Sequence, residues 1–223
     1  MSIPDLLAAI AAGLLSGLMA WLAAERLPGL VIRQWMQDEA AIEAEFGKLS
    51  PPGRGRRQAL FLAAACTLAL ACGWRFGWTL GSLQALLLCA VLLTLADIDR
   101  RTRLLPDILT QPLLWAGLLV NLDHAFAPLA QAVVGAALGY ALPWLAAQGL
   151  RLARGSDGMG GGDFKLMAAL GAWFGAIRLI DIVLLASLSA ILWMLTRGHR
   201  ALPFGPFLAA AGIAALFLPS LPL

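Results

Sequence analysis

The sequence predicts an all-α, polytopic membrane protein: a bundle of about eight transmembrane helices with both termini on the outer side. Of its 223 residues, 61% are hydrophobic and 13% charged, where a soluble globular domain carries about 45 to 50% apolar and about 25% charged residues. The apolar residues gather into runs at 3–24, 58–74, 79–98, 107–127, 128–150, 164–177, 179–196 and 203–222, separated by polar or turn-rich breaks. The basic residues fall on alternate breaks. With the break after the first run facing the cytoplasm, Arg26, Arg33, Lys48, Arg54, Arg56, Arg57, Arg100, Arg101, Arg103, Arg151, Arg154, Lys165, Arg197 and Arg200 are inside, and of the 16 Lys and Arg only Arg75 and Arg178 are outside. Short cytoplasmic loops collect positive charge in this way.

The run 3–24 has no basic residue ahead of it and is followed by Glu25-Arg26-Leu27-Pro28, so it reads as a retained span rather than a cleaved signal. Residues 25–58 read as a cytoplasmic loop holding all four glutamates (Glu25, Glu39, Glu43, Glu45). Within it Ile32, Trp35, Met36, Ile42 and Phe46 recur at helical spacing, which predicts an amphipathic helix on the inner surface or else a solvated linker helix, ended by Ser50-Pro51-Pro52-Gly53. Cys66, Cys72 and Cys89 lie inside apolar runs without a C-x-x-C pair and read as small buried hydrophobes. Trp74 and Trp78 on the outer side, and Trp35 on the inner, suit an interfacial belt.

Gly13 with Gly17, and Gly135 with Gly139, are small-residue pairs at four-residue spacing that let helix backbones approach closely. The run 164–177 rises only about 21 Å at 1.5 Å per residue, short of a roughly 30 Å hydrocarbon core. It is either a short span whose start is sunk below the surface or a re-entrant hairpin. The hairpin would change the charge split to 13 against 3, by moving Arg178 inside and Arg197 and Arg200 outside, so the span is preferred.

Ionisable groups at membrane depth are costly and usually functional. His124 and His199 fall on opposite sides without Cys or acidic neighbours at ligand spacing, so no zinc site or histidine triad is expected. No glycine-rich loop precedes a GK[ST] signature, so nucleotide binding has no support, and no nucleic-acid partner is expected. Acid chemistry remains. Asp97, Asp99, Asp107, Asp157 and Asp163 gather on the inner boundary outside the first loop.

Gly155-Ser-Asp-Gly-Met-Gly-Gly-Gly-Asp163 places five glycines in eight positions directly before an aspartate that opens an apolar helix. Without side chains such a loop can lie against an extended peptide. Alternatively, Asp163 is an N-terminal cap after a flexible linker. Asp97 and Asp99 close the third run, where negative charge opposes the helix dipole. The bland reading there is a basic stop, with Pro106 and Asp107 starting the next helix.

Together these residues resemble the type IV prepilin peptidases, membrane aspartyl proteases of the GxGD type. Gly160-Gly161-Gly162-Asp163 matches the GxGD signature, within the fuller Gly158-Met-Gly-Gly-Gly-Asp-Phe-Lys165. Asp99, seven residues before Pro106 in Asp-x-x-x-x-Leu-Leu-Pro-Asp-x-Leu-Thr, falls on the family's first catalytic aspartate, and Pro203-Phe-Gly-Pro206 looks like the start of its final span. The resemblance implies one membrane peptidase domain over 1–223 in the bacterial inner membrane. It would remove the short basic leader of type IV prepilins or type II secretion pseudopilins at the cytoplasmic face. It makes Asp99 and Asp163 catalytic, one drawing a proton from water while the other donates to the scissile carbonyl. Gly160, Gly161, Gly162, Pro106, Asp107 and Asp97 become supporting or substrate-binding residues. Lys165 either orients the pair or the substrate backbone, or snorkels to the interface.

Bifunctional members of that family carry two zinc-binding C-x-x-C pairs in the first cytoplasmic loop, associated with N-methylation. This loop has no cysteine, and the family's Tyr-Pro-x-x-Glu is replaced around Gln58-Ala59-Leu60. No cofactor is expected, and S-adenosylmethionine would enter only with a retained methylation activity. The competing readings are another GxGD membrane protease, such as a signal-peptide-peptidase-like enzyme, or a proton-coupled transporter in which the aspartates relay protons.

Overall fold

Long Ala- and Leu-rich stretches become helices here because a backbone in lipid must satisfy its own N–H and C=O groups. A computed structural model describes residues 3–35, 54–154, 160–197 and 202–219. The described residues form α1 (Ile3–Trp35), α2 (Arg54–Phe76), α3 (Leu80–Thr102), α4 (Asp107–Val120), a 3-10 turn (Asn121–Asp123), α5 (Leu129–Arg154), α6 (Gly161–Arg197) and α7 (Gly205–Ala215). They belong to two compact units, Met1–Pro106 and Asp107–Leu223. Five of the described helices, α1, α2, α3, α5 and α6, are long and apolar enough to cross a membrane, while α4 with 14 residues and α7 with 11 are shorter. Large side chains such as Leu7, Leu15, Met19, Trp115, Leu119 and Leu188 are exposed, as the surface of a multi-pass membrane protein requires.

In the first unit α1, α2 and α3 pack against one another. Gly13 and Gly17 mark the α1–α2 crossing: a Cβ on Gly13 would lie 2.6 Å from the Cα of Cys66, and one on Gly17 would lie 2.7 Å from the Cβ of Ala65. The Thr94 hydroxyl, buried on α3, lies 3.3 Å from the carbonyl of Ala20 on α1. Cys72 and Cys89 are buried free thiols and Cys66 is half-buried. One boundary of the sequence reading needs correction: α1 does not stop at Ala24 but continues through Pro28 to Trp35. The change from apolar to polar composition alters what surrounds the helix. It does not break the backbone, and Pro28 removes only one N–H donor. Met36, Ile42 and Phe46 of the expected amphipathic helix lie outside the described residues. The other end of the 25–58 stretch is also helical, since α2 begins at Arg54.

In the second unit α6 packs against α4, α5 and α7. Gly135 and Gly139 bring α5 against α6, where added Cβ atoms would meet the Gly171 carbonyl oxygen at 2.5 Å and the Met167 carbonyl oxygen at 2.6 Å. The 37 residues of α6 would rise roughly 55 Å if straight, but Gly175, at φ 79° and ψ 171°, breaks the helix. The runs 164–177 and 179–196 therefore share one continuous stretch and part at Gly175, three residues before the charged residue that marks the break in the sequence. Only glycine takes that φ without strain.

Behind the break, Asn121 is fully buried. Its Nδ2 donates to the carbonyls of Ala172 at 2.8 Å and Trp173 at 2.9 Å, and its Oδ1 accepts from the N–H groups of Phe126 at 3.0 Å and Ala127 at 2.9 Å. Trp173, also buried, donates its indole N–H to the Leu113 carbonyl at 2.9 Å, over Gly117.

Candidate active site

The first group of acidic residues lies in the last turns of α3. There Asp97, Ile98 and Asp99 are buried while Arg100 is exposed. The helix ends at Arg103, in the left-handed region at φ 55°, whose N–H returns to the Asp99 carbonyl at 2.8 Å. Thr102 ties the same turn, donating its hydroxyl to the Ile98 carbonyl at 2.9 Å and accepting the N–H of Leu104 at 3.2 Å. The backbone around Asp99 is therefore capped.

Asp97 and Asp99, two positions apart, leave the helix on different sides. Asp97 faces arginines: Nε of Arg101 at 3.0 Å, Nη2 of Arg100 at 3.2 Å and Nε of Arg57 at 3.6 Å. Arg57, in the first turn of α2, also pairs with Glu25 of α1, and Arg101 donates to the Ala24 carbonyl. Buried charge persists only when paired and hydrogen-bonded, and this cluster joins the start of α2, the end of α3 and the interior of α1 around Asp97. The i+3 and i+4 partners Arg100 and Arg101 are legible from spacing. Arg57 and Glu25 were missed, because only packing brings them to α3.

Pro106, buried, closes the first unit, and Asp107 opens the second as the first residue of α4. In the second unit Asp163 is half-buried in the first turn of α6, its N–H donating to the Gly160 carbonyl at 3.1 Å. A Cβ on Gly160 would lie 3.8 Å from Oδ2 of Asp163, and one on Gly161 would have nothing within 4 Å. Packing among the described residues therefore does not require glycine at Gly161. Gly162 is half-buried. The rest of the glycine stretch, 155–159, lies outside the described residues. Lys165 Nζ sits 2.6 Å and 2.8 Å from the two carboxylate oxygens of Asp107, so the structure brings these two predicted residues together. Asp99 belongs to the first unit and Asp163 to the second. Among the described residues, no group of three or more His, Cys, Asp or Glu is arranged to hold a metal ion.

Residues 86–195 match the type IV leader peptidase family. That segment contains Asp97, Asp99, Pro106, Asp107, Gly160, Gly161, Gly162, Asp163 and Lys165. The prepilin leader peptidase/N-methyltransferase of Dickeya chrysanthemi is 49% identical over 154 residues, 65% of this chain and 53% of the relative. Its namesake in Burkholderia pseudomallei (strain 1026b) is 46% identical over 170 residues, 73% of this chain and 55% of the relative. That of Aeromonas hydrophila is 48% identical over 162 residues, 70% of this chain and 54% of the relative. The chain spans about half the length of the relatives it matches. No solved structure gives a significant match. Through its segment 86–195, with both aspartate motifs inside it, this chain belongs to the type IV leader peptidase family.

Proposed function

We propose that the protein is an aspartyl endopeptidase of the inner membrane that removes the leader from prepilins or pseudopilins at the cytoplasmic face, with Asp99 and Asp163 as its acid–base pair. The observation that carries this reading is the family match across both aspartate motifs, with Asp99 in the last turn of one apolar helix and Asp163 in the first turn of another. The positive-inside distribution of Lys and Arg supports a cytoplasmic position for both helix ends, with α4 running outward and α5 returning between them.

Two carboxylates brought near one another cannot both ionise comfortably, so one keeps a proton. The ionised member takes a proton from water as the oxygen attacks the scissile carbonyl, and the other donates its proton to the carbonyl oxygen. The pair titrates as a unit, and neither role is assigned to one residue. The absence of described neighbours within 4 Å of a Cβ on Gly161 suits the extended backbone of a leader junction, while the apolar helix of the substrate stays in lipid. Methyl transfer is no part of the proposal, because the polar stretch 25–58 has no cysteine.

Purified protein incubated with a prepilin, with and without a methyl donor, should release a product lighter by the leader alone. Asp99→Asn and Asp163→Asn should each abolish release while the protein still purifies as a folded helical species. Full cleavage by either variant would sink the assignment.

A further inference from the structure

We propose that Asp107 and Lys165 form a positioning clamp that fixes the first turn of α6, and with it Asp163, against the start of α4. The inference rests on the reading of Asp163 as a catalytic residue. Three consecutive glycines, Gly160, Gly161 and Gly162, precede Asp163, and they offer no side chain by which the helix start could be held. The residues just after it help to set the orientation of that turn. Among them are Phe164, buried and edge-on to Tyr140 of α5 at 6.4 Å between ring centroids, and Lys165, held by both oxygens of Asp107. Phe164 anchors the turn to α5 and Lys165 anchors it to α4.

Lys165 follows Asp163 by two positions, so their side chains leave the helix about 200° apart. The ammonium acts on Asp163 through the backbone, steadying the turn from its other side. Stability is a poor reason for the pair: the Asp107 side chain is 57% exposed and that of Lys165 31%, and exposed ion pairs add little. Geometry is a better one: a catalytic group displaced by about 1 Å can lose on the order of 100-fold in rate, and this pair ties the turn that carries Asp163 to the first residue of α4.

Leader cleavage by the purified full chain, followed at varied prepilin concentration, tests the clamp. Lys165→Gln and Asp107→Asn should each lower kcat about 10- to 100-fold with KM within about twofold. The double variant should be no slower than the worse single variant. Lys165→Arg, which keeps the charge and the reach, should retain most of kcat. Thermal unfolding in detergent should not move for any of them. Wild-type kcat in both single variants overturns the clamp. So does a raised KM at unchanged kcat, which marks a substrate contact, or multiplicative losses in the double variant, which mark separate roles. Asp163→Asn measured alongside separates the two ideas. If it cleaves normally, the active-site reading fails; if it is inactive while the clamp variants keep full kcat, only the clamp fails.

Discussion

At the scale of single residues, Asp97 and Asp99 show how two neighbouring carboxylates acquire different work. Asp97 is ringed by Arg57, Arg100 and Arg101, so its removal strands buried guanidiniums. Breaking a buried ion pair costs about 3 to 5 kcal/mol, and Asp97→Ala should show a loss of that order in detergent unfolding. Asp99→Asn, which keeps the size of the side chain and a hydrogen-bonding group, should cost less than Asp97→Ala while losing cleavage. Equal stability losses for the two would contradict this division. Asn121 belongs to the same scale: Asn121→Ala leaves buried N–H and carbonyl groups unmet, each worth about 1 to 3 kcal/mol. The same unfolding measurement should register at least one such loss.

At the scale of elements, glycine spacing reported real contacts. The pairs Gly13 with Gly17 and Gly135 with Gly139 sit where a Cβ would strike another helix, because a helix presents every fourth residue on one face. The break in α6 was only half legible. Its two apolar runs were visible, but the charged Arg178 drew the boundary, whereas the backbone turns at Gly175. Arg178 instead reaches the carbonyls of Ala215 and Leu218 and pairs with Asp181 at 3.4 Å. Gly175→Ala forces a side chain into positive φ and within 3.2 Å of the Cβ of Gln131. Such strain costs about 1 to 3 kcal/mol, and the variant should unfold earlier by a corresponding amount, with helix content kept.

At the scale of the whole molecule, composition and charge made the membrane class plain, and the placement of basic residues gives the proposed orientation. With Cys66, Cys72 and Cys89 replaced by alanine, a single cysteine at Arg103 should react with a membrane-impermeant maleimide only from the cytoplasmic side. One at Asp123 should react only from the outer side. The reverse pattern would invert the topology and remove both aspartate motifs from the cytoplasmic face.

Hydropathy, helical periodicity and motif spacing are local properties of a chain, which is why the sequence alone determined the all-helical membrane class, the small-residue crossings and the family. Which side chains meet across helices depends on how those helices are rotated and paired, and no local pattern encodes that. Tertiary structure therefore decided that Arg57 and Glu25 join Asp97, and that Asn121 bonds to the backbone of Ala172 and Trp173. It decided too that Lys165, two positions beyond Asp163, is held by Asp107, 58 residues away in the chain.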